Sequence, residues 1–251
     1  MAPDAKGIVA LPEGASIALL LVHGFCASSD ELSTLAEYLS ERGFASFSVQ
    51  LAGHGTTPED LEATSWQDWY QSLQSGLEVV RSWKPRYLFV VGFSMGGLLS
   101  IMISSKETDI DGLILIAPAL RIPGLLPKLV PLLKYLVKYR NIDIEAAQRV
   151  YDVKRTKYER EPVSAYHEFF KLQKEAKKHM KAVVTPTLIL QGTEDKSIDP
   201  TSAQVALQAI SSGIKELHLI EGAEHVISCH PTRKMAYPII LEFLEKIIGM
   251  A

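Results

Sequence analysis

The chain has 251 residues, 47% of them hydrophobic and 22% charged, with a formal net charge of −3. That length suits one large domain with a well-buried core, and the mild acidity argues against nucleic acid as the main partner. No apolar run is long enough to span a membrane, Ile17–Val22 is too short for the core of a secretory leader, and Cys26 and Cys229 offer neither a disulfide framework nor a zinc-ligand spacing, so the expected home is the cytoplasm.

An edge strand is expected around residues 8–11. Ile17–Val22 is continuously apolar, as a parallel strand covered on both faces requires, and it ends at the small-residue loop His23-Gly24-Phe25. A helix reads over 30–42, with Leu32, Leu35, Ala36 and Leu39 on one face and Gly43 as its stop. A strand over 44–51 leads into the turn-rich Gly53-His54-Gly55-Thr56-Thr57-Pro58. Ser65 then caps a helix to about residue 83, with Asp68 three residues on to close a capping box. A strand over 87–91 runs straight into Gly92-Phe93-Ser94-Met95-Gly96, and an apolar helix follows. Further strands read at 112–118, 186–192 and 217–220, and a last helix at 232–248, with a kink or restart at Pro238. Alternating strands and helices imply right-handed crossovers and a mostly parallel sheet. Ligands of such sheets bind beyond the carboxyl ends of the strands, where Ser94, His23 and the loops after Gly192 and Gly222 fall.

Residues 121–184 break the alternation. Pro123, Pro127 and Pro131 rule out one long regular helix at its start, and the segment is expected to stand over the site as a cap, with 1–120 and 185–251 forming the body. Residues 121–182 hold 15 Lys and Arg against 7 Asp and Glu. Their net charge is therefore +8, and the simplest reading is a solvated basic face.

The chemistry centres on Ser94. Glycine on both sides lets a strand turn sharply into a helix and lifts the serine hydroxyl above the sheet edge, in a strained nucleophile elbow. Serine needs a neighbouring base held by a third group, and seven histidines compete for that role. His218 lies in an apolar strand and reads as a packed core residue; His23 and His54 shape loops; His167 and His179 belong to the cap. His225 follows the last strand in Gly222-Ala223-Glu224-His225, late in the chain as an elbow serine requires, with His230 as the fallback. Three carboxylates in the loop after Gly192 compete for the third role. Asp199 precedes Pro200 and reads as a helix cap, Glu194 as solvated, and mid-loop Asp195 is the choice. Two backbone N–H groups must meet the developing oxyanion, and those of Met95, next after the nucleophile, and Phe25, in the loop after the first long strand, are expected to supply them.

Together, His23-Gly24-Phe25, Gly53-His54-Gly55, Gly92-Phe93-Ser94-Met95-Gly96-Gly97, Asp195 with Pro200, and Gly222 with His225 resemble the α/β-hydrolase superfamily. Gly53-His54-Gly55 followed by Pro58-Glu59-Asp60-Leu61 and Trp66 to Trp69 is similar to the small bacterial carboxylesterases and monoacylglycerol lipases. The resemblance implies a mostly parallel central sheet flanked by helices, with a helical cap inserted. It implies hydrolysis of small acyl esters, short- to medium-chain and including monoacylglycerols, through an acyl-enzyme, with no cofactor and no metal. The cap would line the acyl pocket, and Phe25, Leu125, Leu129 and Leu133 are the residues expected there. The same triad serves carbon–carbon bond hydrolases, thioesterases and acyltransferases, and a non-catalytic receptor can keep it idle. Cys26, beside Phe25, and Cys229, four residues past His225, read as two small buried side chains, with a place beside the cleft as the alternative. Nothing in the sequence bears on oligomeric state.

Overall fold

The computed structural model describes residues 6–124 and 126–250. Its strands in chain order are β1 (Gly7–Ala10), β2 (Ile17–Val22), β3 (Ala45–Val49), β4 (Tyr87–Phe93), β5 (Gly112–Ile116), β6 (Tyr139–Asn141), β7 (Arg160–Pro162), β8 (Thr187–Gly192) and β9 (Lys215–Ile220). Seven of them form one sheet in the order β1-β3-β2-β4-β5-β8-β9. β1 pairs antiparallel with β3 and every other neighbour is parallel. The helices are α1 (Ser33–Ser40), α2 (Pro58–Glu62), α3 (Trp66–Ser82), α4 (Met95–Ser104), α5 (Leu126–Leu133), α6 (Ile144–Gln148), α7 (Val163–His179), α8 (Thr201–Ala209) and α9 (Arg233–Met250).

Both faces of the sheet are covered, which is why its central strands are apolar without alternation. Leu20 and Val90 point to one face and join residues of α3, α4, α7 and α8. Leu19, Leu21, Phe89 and Val91 point to the other and join α1 and α9. On α3, Trp69, Leu73, Leu77 and Val80 recur at helical spacing and are buried, each contributing about 1.5–3 kcal/mol of transfer free energy. The expected capping box is present: the Asp68 carboxylate accepts from the Ser65 amide at 2.8 Å and from its hydroxyl at 2.6 Å.

Two local expectations change, and a third narrows. The helix read over 30–42 starts as a 3-10 turn, Ser29–Leu32, before α1 begins, because the Ser28 hydroxyl caps the turn at the Asp30 amide. α9 continues across Pro238 without restarting. His218 is not a packed core residue. Among the described residues β9 is an edge strand paired only with β8, so the His218 side chain is 40% exposed and lies 3.4 Å from Glu216.

Between β5 and β8 the chain adds α5, the two-stranded antiparallel ribbon β6–β7, α6 and α7. The short helices agree with the proline pattern, α5 carrying Pro131 within its eight residues. The ribbon, with three residues per strand, was too short to read from the sequence.

Candidate active site

β4 delivers Ser94 and α4 starts at the next residue. Ser94 sits at φ +53°, ψ −112°, a conformation that residues with a side chain rarely adopt. The surroundings hold it there: its amide donates to Ile116 O at 2.9 Å, and its carbonyl accepts from Gly97 N at 3.1 Å and Ala119 N at 3.2 Å. Gly96 is required by space, since a Cβ there would collide with the carbonyl oxygens of Val22 and His23.

The sequence-derived trio comes together. His225 Nε2 lies 3.0 Å from Ser94 Oγ, and His225 Nδ1 lies 2.8 Å from Asp195 Oδ2. Asp195 is buried, and its Oδ1 accepts from the Ser197 and Ile198 amides, both at 2.9 Å. Burial works against its charge, but the hydrogen bond and charge of His225, with the two amides, outweigh it and hold the carboxyl below its usual range. An ionised Asp195 can only accept, so Nδ1 carries the imidazole proton and the bare Nε2 faces the serine hydroxyl. The His225 ring also packs on Phe93, with centroids 5.0 Å apart.

The competing residues are engaged elsewhere. His230 bonds Thr232 Oγ1 at 2.8 Å, Asp199 Oδ1 accepts from the Thr201 amide at 2.9 Å where α8 begins, and Glu194 is exposed. His179 bonds Ser105 Oγ at 2.9 Å. His23 shapes its loop as expected: Nδ1 donates to Gly24 O at 2.8 Å and Nε2 accepts from Leu51 N at 3.2 Å. Burial keeps both His23 and His54 neutral, His54 with a pKa pulled down to about 3. Among the described residues the Phe25 and Met95 amides donate to no protein acceptor, as oxyanion donors must be free to receive a ligand.

The Gly24 amide donates to Glu31 Oε2 at 2.8 Å, and Glu31 Oε1 pairs with Arg155 Nη1 at 2.7 Å. The Glu31 carbonyl accepts from Ser228 Oγ at 2.7 Å. One buried glutamate thus ties the Phe25 loop to the segment between β5 and β8 and to the loop that carries His225. Neither Glu31, Arg155 nor Gln191, which donates to Asp195 Oδ2 at 2.9 Å, was singled out from the sequence. Gln191 alone carried a signal, as a polar residue closing an apolar strand.

A cleft of about 490 Å³ opens above Ser94 and His225, with Phe25, Ile122, Phe169 and Phe170 among its apolar walls. Phe25 lies where expected. Leu129 and Leu133 do not line the cleft: α5 turns Val130 inward, leaving Leu129 47% exposed and Leu133 packed against the core beside it. Leu125 lies outside the described residues. Cys26 and Cys229 are free and buried, and neither is a lining residue of the cleft. Among the described residues no three His, Cys, Asp or Glu side chains gather as metal ligands, and no helix is long and apolar enough to cross a membrane.

Comparison with known proteins agrees with this geometry. The family model described as "Serine aminopeptidase, S33" matches residues 14–231. The thermostable monoacylglycerol lipase of Bacillus sp. (strain H-257) is 30% identical over 240 residues, 94% of each chain. The carboxylesterase of Bacillus subtilis (strain 168) is 25% identical over 235 residues, covering 94% of this chain and 95% of its own. A solved structure from work on the metagenome-derived lipolytic enzymes LipS and LipT superposes with a TM-score of 0.87 at 26% identity, covering 97% of this chain and 98% of that one. The chain belongs to the serine aminopeptidase S33 family of hydrolases and has the α/β-hydrolase fold.

Proposed function

We propose that the protein is a serine carboxylic-ester hydrolase, acting on short- to medium-chain acyl esters, monoacylglycerols among them, through an acyl-enzyme. The observation that carries this reading is the continuous hydrogen-bonded line from Asp195 through His225 to Ser94, at 2.8 and 3.0 Å, under a cleft with apolar walls. In the proposed reaction Ser94 Oγ bonds to the ester carbonyl carbon while His225 Nε2 takes its proton. The Phe25 and Met95 amides receive the oxyanion. As the ester C–O bond breaks, His225 returns the proton to the leaving alcohol; it then deprotonates the water that releases the acid. Asp195 keeps the imidazole in the required tautomer and stabilises its charged form.

In this reading residues 121–184 are a cap over a body made of 1–120 and 185–251, and Phe25, Ile122, Phe169 and Phe170 form the acyl wall. Each methylene buried there adds about 0.8 kcal/mol at best. We also infer a cytoplasmic location, since two unpaired buried thiols suit a reducing compartment.

The test is a chain-length series of p-nitrophenyl esters, from acetate upward, with wild type and Ser94→Ala. kcat/KM should climb to medium chains and then fall, and Ser94→Ala should lose about four to six orders of magnitude. Absence of turnover at every chain length would transfer the site to a thioester, acyl-transfer or receptor role.

A further inference from the structure

The cleft above Ser94 is lined by two kinds of side chain. Ile122, Phe169, Phe170 and Ile198 are apolar. Arg140, Arg155, Lys157 and Lys196 are cationic, with Glu31 and Glu161 as the carboxylates of the lining, and Glu224 lies 3.9 Å from Lys196 Nζ. Both lining carboxylates are already engaged. Glu31 takes the Gly24 amide and Arg155 Nη1; Glu161 takes Lys157 Nζ at 2.8 Å and the Tyr166 hydroxyl. With Glu224 counted against Lys196, one cation is left in excess.

Arg155 holds the unspent donors. Its side chain is only 8% exposed, and among the described residues Nη1 is its one engaged nitrogen. The buried Nε donates to no protein acceptor among the described residues, and neither does Nη2. Nε and Nη2 form the edge of a guanidinium that grips a carboxylate or phosphate through two parallel hydrogen bonds. A buried donor left unpaired is unfavourable, and Arg155 lines the cleft, so its guanidinium is poised for an acceptor that arrives with the substrate.

The position of Arg155 says which part of the substrate that is. Its guanidinium lies 5.6 Å from the centre of the Tyr151 ring, and the Tyr151 hydroxyl accepts from the Val226 amide, one residue past His225, at 3.4 Å. The Asp152 and Val153 amides donate to Cys229 O at 3.1 and 3.3 Å. Arg155 thus borders the loop of the residue that must protonate the leaving alcohol. The phenylalanine pair Phe25 and Phe169, with centroids 5.4 Å apart, supplies apolar lining of the same cleft.

We propose that the unpaired edge of Arg155 in the cleft lining is an anion subsite for the leaving group: the preferred substrates are acyl esters of an alcohol that bears a phosphate or carboxylate, held by Nε and Nη2 of Arg155. This rests on the ester-hydrolase reading above. The anionic group takes no part in the bond changes. The Ser94 Oγ–acyl bond forms, the ester C–O bond breaks, the alkoxide takes the His225 proton, and the alcohol leaves with its anion intact.

Three lauroyl esters test the proposal: of glycerol (neutral), of glycerol 3-phosphate and of lactate. At least one anionic ester should show kcat/KM about tenfold or more above lauroyl glycerol, and which one leads separates phosphate from carboxylate. Arg155→Lys keeps a positive charge for Glu31 but lacks the two-pronged edge, so the ratio of kcat/KM for the anionic ester to that for lauroyl glycerol should fall to about one, whatever the absolute rates. The wild-type protein gives an independent reading: glycerol 3-phosphate or lactate should inhibit lauroyl glycerol hydrolysis about tenfold more strongly than glycerol. Equal kcat/KM for all three esters, equal inhibition by the three alcohols, or a preference that persists in Arg155→Lys overturns the subsite. Turnover of the neutral ester without anion preference would remove this inference alone, whereas no turnover of any ester would remove the hydrolase reading itself.

Discussion

Gln191 Nε2 donates to Asp195 Oδ2 at 2.9 Å, on the same oxygen that meets His225 Nδ1. The carboxylate is thereby fixed by a side chain of β8 as well as by the amides of Ser197 and Ile198. A hydrogen bond to a charged acceptor is worth about 1.5–3 kcal/mol. In Gln191→Leu the Asp195 carboxylate keeps its amide partners but loses one restraint on the oxygen that orients His225. kcat on a p-nitrophenyl ester should fall about tenfold with KM within a fewfold, measured at a pH where both proteins are fully folded.

Ser94 and His225 act as one unit in the proposed reaction. Ser94→Ala and His225→Ala should each remove nearly all activity, and the double variant should lose little more than the worse single one, because such effects are strongly non-additive. Steady-state kinetics on the three proteins decides it: full multiplicativity would mean that the two side chains contribute separately.

Glu31 and Arg155 form an ion pair with 1% and 8% of their side chains exposed. Removing one partner of such a pair strands the other charge, at a cost of about 3–5 kcal/mol. Glu31→Ala should therefore lower Tm by on the order of 10 °C. It should also slow turnover, since the Gly24 amide next to Phe25 loses its acceptor. The double change Glu31→Leu with Arg155→Met should recover much of the stability and little of the activity. Thermal melts and kinetics on the same samples separate the two effects.

His54 provides a pH dependence of stability. Burial, with His23 beside it, pulls its pKa from 6.5 to about 3 in the folded protein. Between those values the unfolded chain binds a proton that the folded one refuses, so stability rises with pH across this window and is lost as pH falls below about 6.5. The slope from this group is about 1.4 kcal/mol per pH unit. Denaturant titrations from pH 7 to pH 4 should show it, and His54→Asn should remove about one proton from the linkage even though it lowers stability at neutral pH.

The thiols should be silent. Burial raises the pKa of Cys26 well above its ordinary value, with the Glu161 charge adding to it, and burial with the Glu31 charge pushes Cys229 up to about 11. A bulky aromatic disulfide at pH 8 should label neither cysteine in the folded protein and both in denaturant. Labelling of either in the native state, with loss of activity, would return it to the edge of the cleft.

The parts of the fold legible in the sequence were those dictated by local patterning. Continuous apolar runs such as Ile17–Val22 fixed the buried strands, Ser65 with Asp68 marked the start of α3, and the two glycines around Ser94 marked the elbow. Chain order and loop position point to His225 over His230 and to Asp195 over its two neighbours, and these are the side chains that form one hydrogen-bonded line with Ser94. What escaped depended on contacts between distant segments. Whether β9 lies inside the sheet or at its edge is a matter of strand order, so the exposure of His218 could not be read from its apolar flanks. Which leucines of α5 face inward depends on how that helix lies against the core, and the proline-rich run gave no phase. The pairing of Glu31 with Arg155 spans 124 residues and has no local signature at all.

The backbone of Ser94, at φ +53°, has a consequence for how such a protein changes over generations. A conformation of this kind costs on the order of 1–3 kcal/mol for a residue with a side chain, and glycine adopts it with little strain. Ser94→Gly would relieve that strain while removing the one hydroxyl the proposed chemistry cannot do without. Heat tolerance and turnover therefore pull in opposite directions at a single position. A lineage or laboratory library screened only for surviving a heat step would drift toward glycine there and go quiet, so selection on turnover itself is needed to keep the serine in place.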